Sequence, residues 1–199
     1  MAASSGSEGR GSVFKFGVRQ IVVAGILGGI AAFLGFTQLG FIPVPNVSGR
    51  ATILHIPAIV GGALEGPVVG ALAGLIFGIF SWLDPVVPPL RNPLVSVLPR
   101  IFIGVVAWAV FVGLRRLSLD LASAAAGLLG SFANTVGVVG MAVIFGYFPP
   151  AVFLVVLPQA IAEAILAAVV TVVVVRGVML IRSGRTTAPE TGSGEERRY

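Results

Sequence analysis

The amino-acid sequence predicts an all-α integral membrane protein, a six-transmembrane-helix bundle with both termini in the cytoplasm. Three observations predict it. Of the 199 residues, 56% are hydrophobic and only 11% charged, with a mean hydropathy of +1.03, whereas a soluble domain carries about 25% charged residues. The apolar residues fall into six stretches separated by polar or proline-rich connections. Lys and Arg gather at every second connection, the asymmetry that orients helices in a bilayer. The length leaves room for one bundle and no separate soluble domain.

The elements follow in order. Residues 1–15, opening "MAASSGSEGRGS", are polar and rich in Gly and Ser. They read as a disordered cytoplasmic tail without the apolar core of a cleaved signal peptide. The membrane domain is expected over residues 16–182, each crossing needing about 20 residues. The first span is Val18–Leu39 and the second, a short one, Ala51–Leu64. "EGP" (Glu65–Pro67) turns into the third, Pro67–Leu83, and the loop "DPVVPPLRNP" (Asp84–Pro93) follows. The fourth, Leu94–Leu114, ends at Arg115 and Arg116. The fifth is Leu119–Phe145. "GYFPPAVFLVVLP" (Gly146–Pro158) reads as an apolar connection to the sixth, Pro158–Ile181, which ends at Arg182. Residues 183–199 form a second polar, disordered tail.

Orientation follows from charge. Arg10, Lys15 and Arg19 precede the first span, Arg115 and Arg116 join the fourth and fifth, and Arg182 and Arg185 follow the sixth. Six crossings bring all three groups to one side, the cytoplasm. The outer connections hold Arg50, Asp84 and Arg91 and are long and rich in proline. That places the adaptable, ligand-facing machinery outside.

Small residues recur at helical spacing. Ala24, Gly28 and Ala32 share one face of the first span, with Gly25 and Gly29 beside them, and Gly66, Gly70 and Gly74 repeat the spacing in the third. Such faces let helices approach closely in lipid. Spacing alone favours packing inside the bundle, with docking of another subunit as the alternative for the first span.

Ionisable groups at membrane depth are costly, so their default reading is functional. Arg100 lies about one and a half turns into the fourth span, with Ser96 and Asn92 one and two turns before it. Glu163 lies at a similar depth in the sixth span, with Gln159 one turn away on the same face. Asn134 and Thr135 interrupt the fifth. Each has a blander reading. Arg100 and Glu163 would serve as a structural ion pair, and Asn134 would satisfy a neighbouring backbone group. His55 reads as a packing histidine, Trp82 as an interfacial aromatic, and Arg50 and Arg91 as solvated or headgroup-facing cations. Asp84 reads as a turn residue.

Other chemistries are excluded by absence. There is no cysteine, no GxxxxGK[ST] phosphate loop, no HExxH and no GxSxG, and a single histidine makes a metal site unfavourable. No paired carboxylates lie in the spans. The net charge of +5 sits at span ends and does not point to nucleic acid. No cofactor and no enzymatic activity are expected, which leaves a binding or transport subunit, a facilitator working alone, or a structural subunit.

At this point the residues carry a resemblance. The small-residue face of the first span, "ATILHIPAIVGGALEGPVVGALAGLIFGIFSWL" (Ala51–Leu83), "NPLVSVLPRIFIGVVAW" (Asn92–Trp108), "GSFANTVGVVGM" (Gly130–Met141) and "LPQAIAEAI" (Leu157–Ile165) together resemble the substrate-binding S component of the energy-coupling factor (ECF) vitamin transporters. "NPLVSVLPR" and "FANT" look most like the pantothenate-type members. The resemblance implies a subunit of a prokaryotic cell membrane that binds a vitamin from outside. It would dock on a transmembrane coupling protein with two cytoplasmic ATPases, through Ala24, Gly28 and Ala32. ATP hydrolysis would then belong to separate chains. It implies a pocket in the outer half of the bundle. There Arg100 would take the pantothenate carboxylate, with Arg91 at the mouth. Asn92, Ser96, Asn134, Gln159 and Glu163 would supply polar contacts, and Trp82 and Phe148 would cover the dimethyl group. The loop Asp84–Pro93 would close over the ligand. Other vitamins, such as folate, riboflavin or thiamine, are alternative ligands on the same scaffold.

Overall fold

Proline and serine set where the helices begin. The computed structural model describes residues 17–43 and 50–186, with side chains through Ser183. The expectations for both tails, and for Arg10, Lys15 and the Arg185 side chain, lie outside the described residues, except that the last helix continues to Thr186. The chain runs α1 (Val18–Phe36), β1 (Phe41–Pro43), β2 (Arg50–Thr52), α2 (Ile56–Glu65), α3 (Pro67–Leu83), a 3-10 turn (Pro88–Arg91), α4 (Pro93–Ser96), α5 (Leu98–Leu114), α6 (Leu119–Ile144) and α7 (Val152–Thr186). Asn92 caps α4, its side chain accepting from Leu94 N at 3.0 Å. Ser118 caps α6 in the same way. Gly66, at φ 104°, makes the turn between α2 and α3, a conformation that side chains disfavour.

Among the described residues, four stretches are long and apolar enough to cross a membrane: Val18–Phe36, Pro93–Leu114, Leu119–Ile144 and Val152–Ser183. The second and third expected spans are shorter, 10 residues in α2 and 17 in α3. At about 1.5 Å per residue, α2 is about 15 Å long, half the hydrocarbon thickness. The expected second span began at Ala51. Residues Arg50–Thr52 instead pair antiparallel with Phe41–Pro43 in a two-stranded hairpin, Ile42 opposite Ala51. The sixth helix starts earlier than expected, because Pro149 and Pro150 precede its first turn and their carbonyls accept from Val152 and Phe153. Pro158 lies inside the helix, as membrane helices tolerate when neighbours satisfy the freed carbonyl.

Glycines set how closely the helices pack. A Cβ on Gly104 would fall 2.3 Å from Gly70 Cα, and one on Gly70 would fall 2.7 Å from the Cα atoms of both Gly104 and Gly62. Helices α2, α3 and α5 therefore meet backbone to backbone. Gly74 likewise abuts the Arg100 carbonyl, and Gly127 on α6 abuts Ala168 Cα on α7. The expected internal role of Gly70 and Gly74 holds, while Gly66 serves the turn. In α1, Ala24 and Gly28 are buried, and a Cβ on Gly28 would strike Ile76 of α3. Ala24 and Gly28 thus pack against α3 inside the bundle. Ala32 is half-buried, whereas Gly25 and Gly29 are exposed with nothing near them.

One end of the bundle is ionic. Glu65, at the end of α2, binds Arg19 of α1 at 2.9 Å and Arg182 of α7 at 2.5 Å. Arg176 of α7 grips Asp120 of α6 through two nitrogens, next to the turn carrying Arg115 and Arg116. The opposite end carries the hairpin, the 3-10 turn and the α6–α7 connection.

Candidate functional site

That opposite end encloses a cavity of about 170 Å³. Its walls come from the hairpin and Leu54, from α3, α5, α6 and α7, and from the connections at that end. The hairpin supplies Phe41, Arg50 and Thr52, α3 supplies Phe77, Phe80 and Ser81, and the loop after α3 supplies Asp84, Val86, Val87, Pro89 and Leu90. Helix α5 contributes Arg100. Helix α6 contributes Asn134, Thr135, Val138, Val139 and Ala142. Phe148 follows, and α7 adds Val152, Val156, Gln159, Ala160 and Glu163. The lining is mostly apolar with a few polar groups, as small-molecule sites are.

Those polar groups converge at one depth. From the Asp120–Arg176 pair, Asn134 and Glu163 each lie about 20 Å up their helices at about 1.5 Å per residue. Arg100 is 5% exposed. Its Nη1 donates to the Ser96 carbonyl and lies 3.5 Å from Ser96 Oγ. The guanidinium carbon sits 4.6 Å from the centroid of the Phe77 ring, a cation–π contact made stronger by burial. Its Nε finds no hydrogen-bond partner among the described residues, and neither does Asn134 Oδ1.

The structural ion pair between Arg100 and Glu163 does not form. Glu163 Oε1 instead accepts from Thr52 N at 2.7 Å and from Gln159 Nε2 at 2.7 Å. Gln159 Nε2 also donates to the Arg50 carbonyl at 2.9 Å. The α7 face thus ties the hairpin to the bundle. Arg50 bonds the Gln38 side chain and lies over Phe41, 5.3 Å from its centroid. The cavity therefore carries cations at Arg50 and Arg100 and carboxylates at Asp84 and Glu163. Arg50 and Asp84 are exposed; Arg100 and Glu163 are buried.

Of the expected contacts, Arg100, Asn134, Gln159, Glu163 and Phe148 line this cavity, and the loop after α3 roofs it. Ser96 does not line it; it is fully buried behind Arg100 and holds that side chain. Asn92 is spent on its helix cap. Arg91 and Trp82 also stand outside. Arg91 is exposed, and the Trp82 indole donates to the Arg91 carbonyl at 3.1 Å, tying α3 to the loop on the outer surface. Sequence reasoning missed Arg50, Asp84, Thr52 and the aromatics Phe41, Phe77 and Phe80 as lining. The signal for Arg50 was available: it is the one basic residue in its connection.

A helical bundle with a mostly apolar cavity and a few convergent charges has the make-up of a small-molecule binding site. Sequence comparison makes the class specific: residues 19–175 match the family model of the ECF transporter, substrate-specific component. The chain belongs to that family, and it is accordingly an integral membrane protein that binds substrate for a transporter. Among solved structures, ThiT from Listeria monocytogenes has the same fold, with a TM-score of 0.56 at 18% identity over 84% of this chain and 96% of that one. No curated protein matches by sequence.

Proposed function

We propose that the chain captures a small organic anion, pantothenate in the first place, from the outer side and delivers it inward after docking on a membrane coupling protein driven by two ATPases on separate chains. The observation that carries the substrate class is Arg100. Its guanidinium faces the cavity without a carboxylate partner among the described residues and with Nε unpartnered. A buried cation in that state is best completed by an anionic group of the ligand. Asn134 Oδ1, at the same depth, suits a hydroxyl or amide donor, and Phe77, Phe80 and Phe148 suit an apolar body. The ionic end of the bundle faces the cytoplasm on this reading, with the termini of the chain on that side. The exposed small residues Gly25 and Gly29, with Ala32 beside them, are the part of α1 open to the coupling protein.

The test is calorimetric titration of the purified chain in detergent with pantothenate and a panel of other vitamins. Tight one-to-one binding of pantothenate supports the reading, and binding of another vitamin alone sinks it. A cationic vitamin such as thiamine is the second reading, favoured by the Glu163 and Asp84 carboxylates in the lining.

A further inference from the structure

Arg100 is a buried cation met by one aromatic ring and one carbonyl, with no carboxylate among the described residues. Its seat begins in the local sequence. Helix α5 starts at Leu98 and is broken from α4 at Val97. Pro99 has no N–H to offer, and Arg100 N bonds the Val97 carbonyl at 3.1 Å. The Ser96 carbonyl takes the Arg100 side chain instead, through Nη1. From the other side α3 brings the Phe77 ring, 2% exposed, its centroid 4.6 Å from the guanidinium carbon. Gly74 and Gly78 flank that ring along α3. A Cβ on Gly78 would fall 2.9 Å from Val97 Cα, and one on Gly74 would strike the Arg100 carbonyl. Backbone meets backbone on both sides of Phe77, so the helix crossing itself fixes the height of the ring against Arg100.

A buried charge needs compensation. A carboxylate would supply it, but would occupy the N–H groups and cancel the charge. The negative face of a ring compensates the charge and leaves the N–H groups in the guanidinium plane untouched. Nη1 alone finds an acceptor among the described residues. Two other acceptors line the same cavity, the unpartnered Asn134 Oδ1 and the Glu163 carboxylate. Both compete for a guanidinium that is free to turn. We propose that Phe77, acting with the Ser96 carbonyl, is the positioning residue that withholds Arg100 from those acceptors and presents its remaining N–H groups to the ligand. Phe77 thereby sets the cavity's preference for a carboxylate. The positioning stands on these contacts alone; the preference rests on the cavity's being the site of an anionic substrate.

Nitrogen–proton NMR spectra of the full chain in detergent, without ligand, read the positioning. The Arg100 Nε–H signal is identified by its loss in Arg100→Gln. It is expected upfield of the exposed arginines, shielded by the ring face, and is expected to move downfield in Phe77→Leu. A native signal among those of the exposed arginines, or one left in place by Phe77→Leu, overturns the positioning. Pantothenate titration reads the preference, in Phe77→Leu and in a chain carrying difluorophenylalanine at position 77. The fluorinated ring keeps its shape and loses negative charge from its face. Phe77→Leu is expected to lose about tenfold in affinity, within the range of a desolvated cation–π contact, and the fluorinated chain to lose several-fold. Native affinity in the fluorinated chain overturns the preference, because a ring that merely packs is indifferent to its charge; this variant decides even where Phe77→Leu fails to fold. If the native chain takes no pantothenate while the Arg100 signal is ring-shifted, the substrate reading fails and the positioning stands.

Discussion

Replacing Gly104 by alanine adds one methyl group where three helices touch. The new Cβ would stand 2.3 Å from both Gly70 Cα and C, and 2.6 Å from its carbonyl oxygen. Non-bonded carbons settle at about 3.5–4.0 Å, so α3 and α5 must part by roughly 1.2 Å or more. Every atom in the way is backbone, so no side chain can swing aside. Overpacking costs about 1–3 kcal/mol, and the upper end is expected here because α2 is wedged against the same point through Gly62. Arg100 lies one turn above Gly104 and its own carbonyl abuts Gly74, so the separation also displaces the cavity's buried cation. The assay is denaturation in mixed micelles beside Gly113→Ala, on the same helix, where nothing lies within 4 Å. The control is expected to be neutral, or stabilised by up to about 1 kcal/mol through lower backbone entropy. Equal stability in the two variants would refute the argument that backbone contact at Gly62, Gly70 and Gly104 fixes the helix positions.

Arg100→Gln is expected to weaken pantothenate about 10- to 150-fold by titration, the worth of a hydrogen bond to a charged group at about 1.5–3 kcal/mol. Glu163→Ala removes the acceptor from Thr52 N and one acceptor of Gln159, so hydrogen exchange at the Thr52 amide rises while exchange in the middle of α6 stays unchanged. Glu65→Gln removes the Glu65 carboxylate from Arg19 and Arg182, which are 72% and 44% exposed, and the stability loss is expected to stay under about 1 kcal/mol in denaturation. Gly29→Leu is expected to abolish uptake in cells carrying the coupling module while leaving titrated affinity intact. Gly28→Leu, by contrast, destabilises the fold itself, because it strikes Ile76.

Composition and spacing were enough to read a helical membrane bundle, its ionic end and the depth of Arg100, Asn134 and Glu163. Hydrophobicity, terminal arginines and buried polar groups are properties of single segments, and lipid applies the same rule to each. Glycine spacing in α3 likewise announced close packing. The spacing in α1 did not say which neighbour it served, because Ala24 and Gly28 share a helix with Gly25 and Gly29 and only the rotation of α1 against α3 separates inward from outward.

The pairing of polar groups belonged to the tertiary structure. Arg100 and Glu163 match in charge and depth, yet their partners are the Ser96 carbonyl and Phe77 for one, the Thr52 amide and Gln159 for the other. Ala51 and Thr52 looked like the start of a span and became part of a strand with Arg50, because their backbone groups found Phe41–Pro43 and α7 instead. Arg91 and Trp82, polar and aromatic beside a ligand-facing loop, went to the surface. Sequence alone determined which residues must avoid lipid; only the folded bundle decided which of them met each other, because those partners are far apart along the chain and meet through the rotation and crossing of helices.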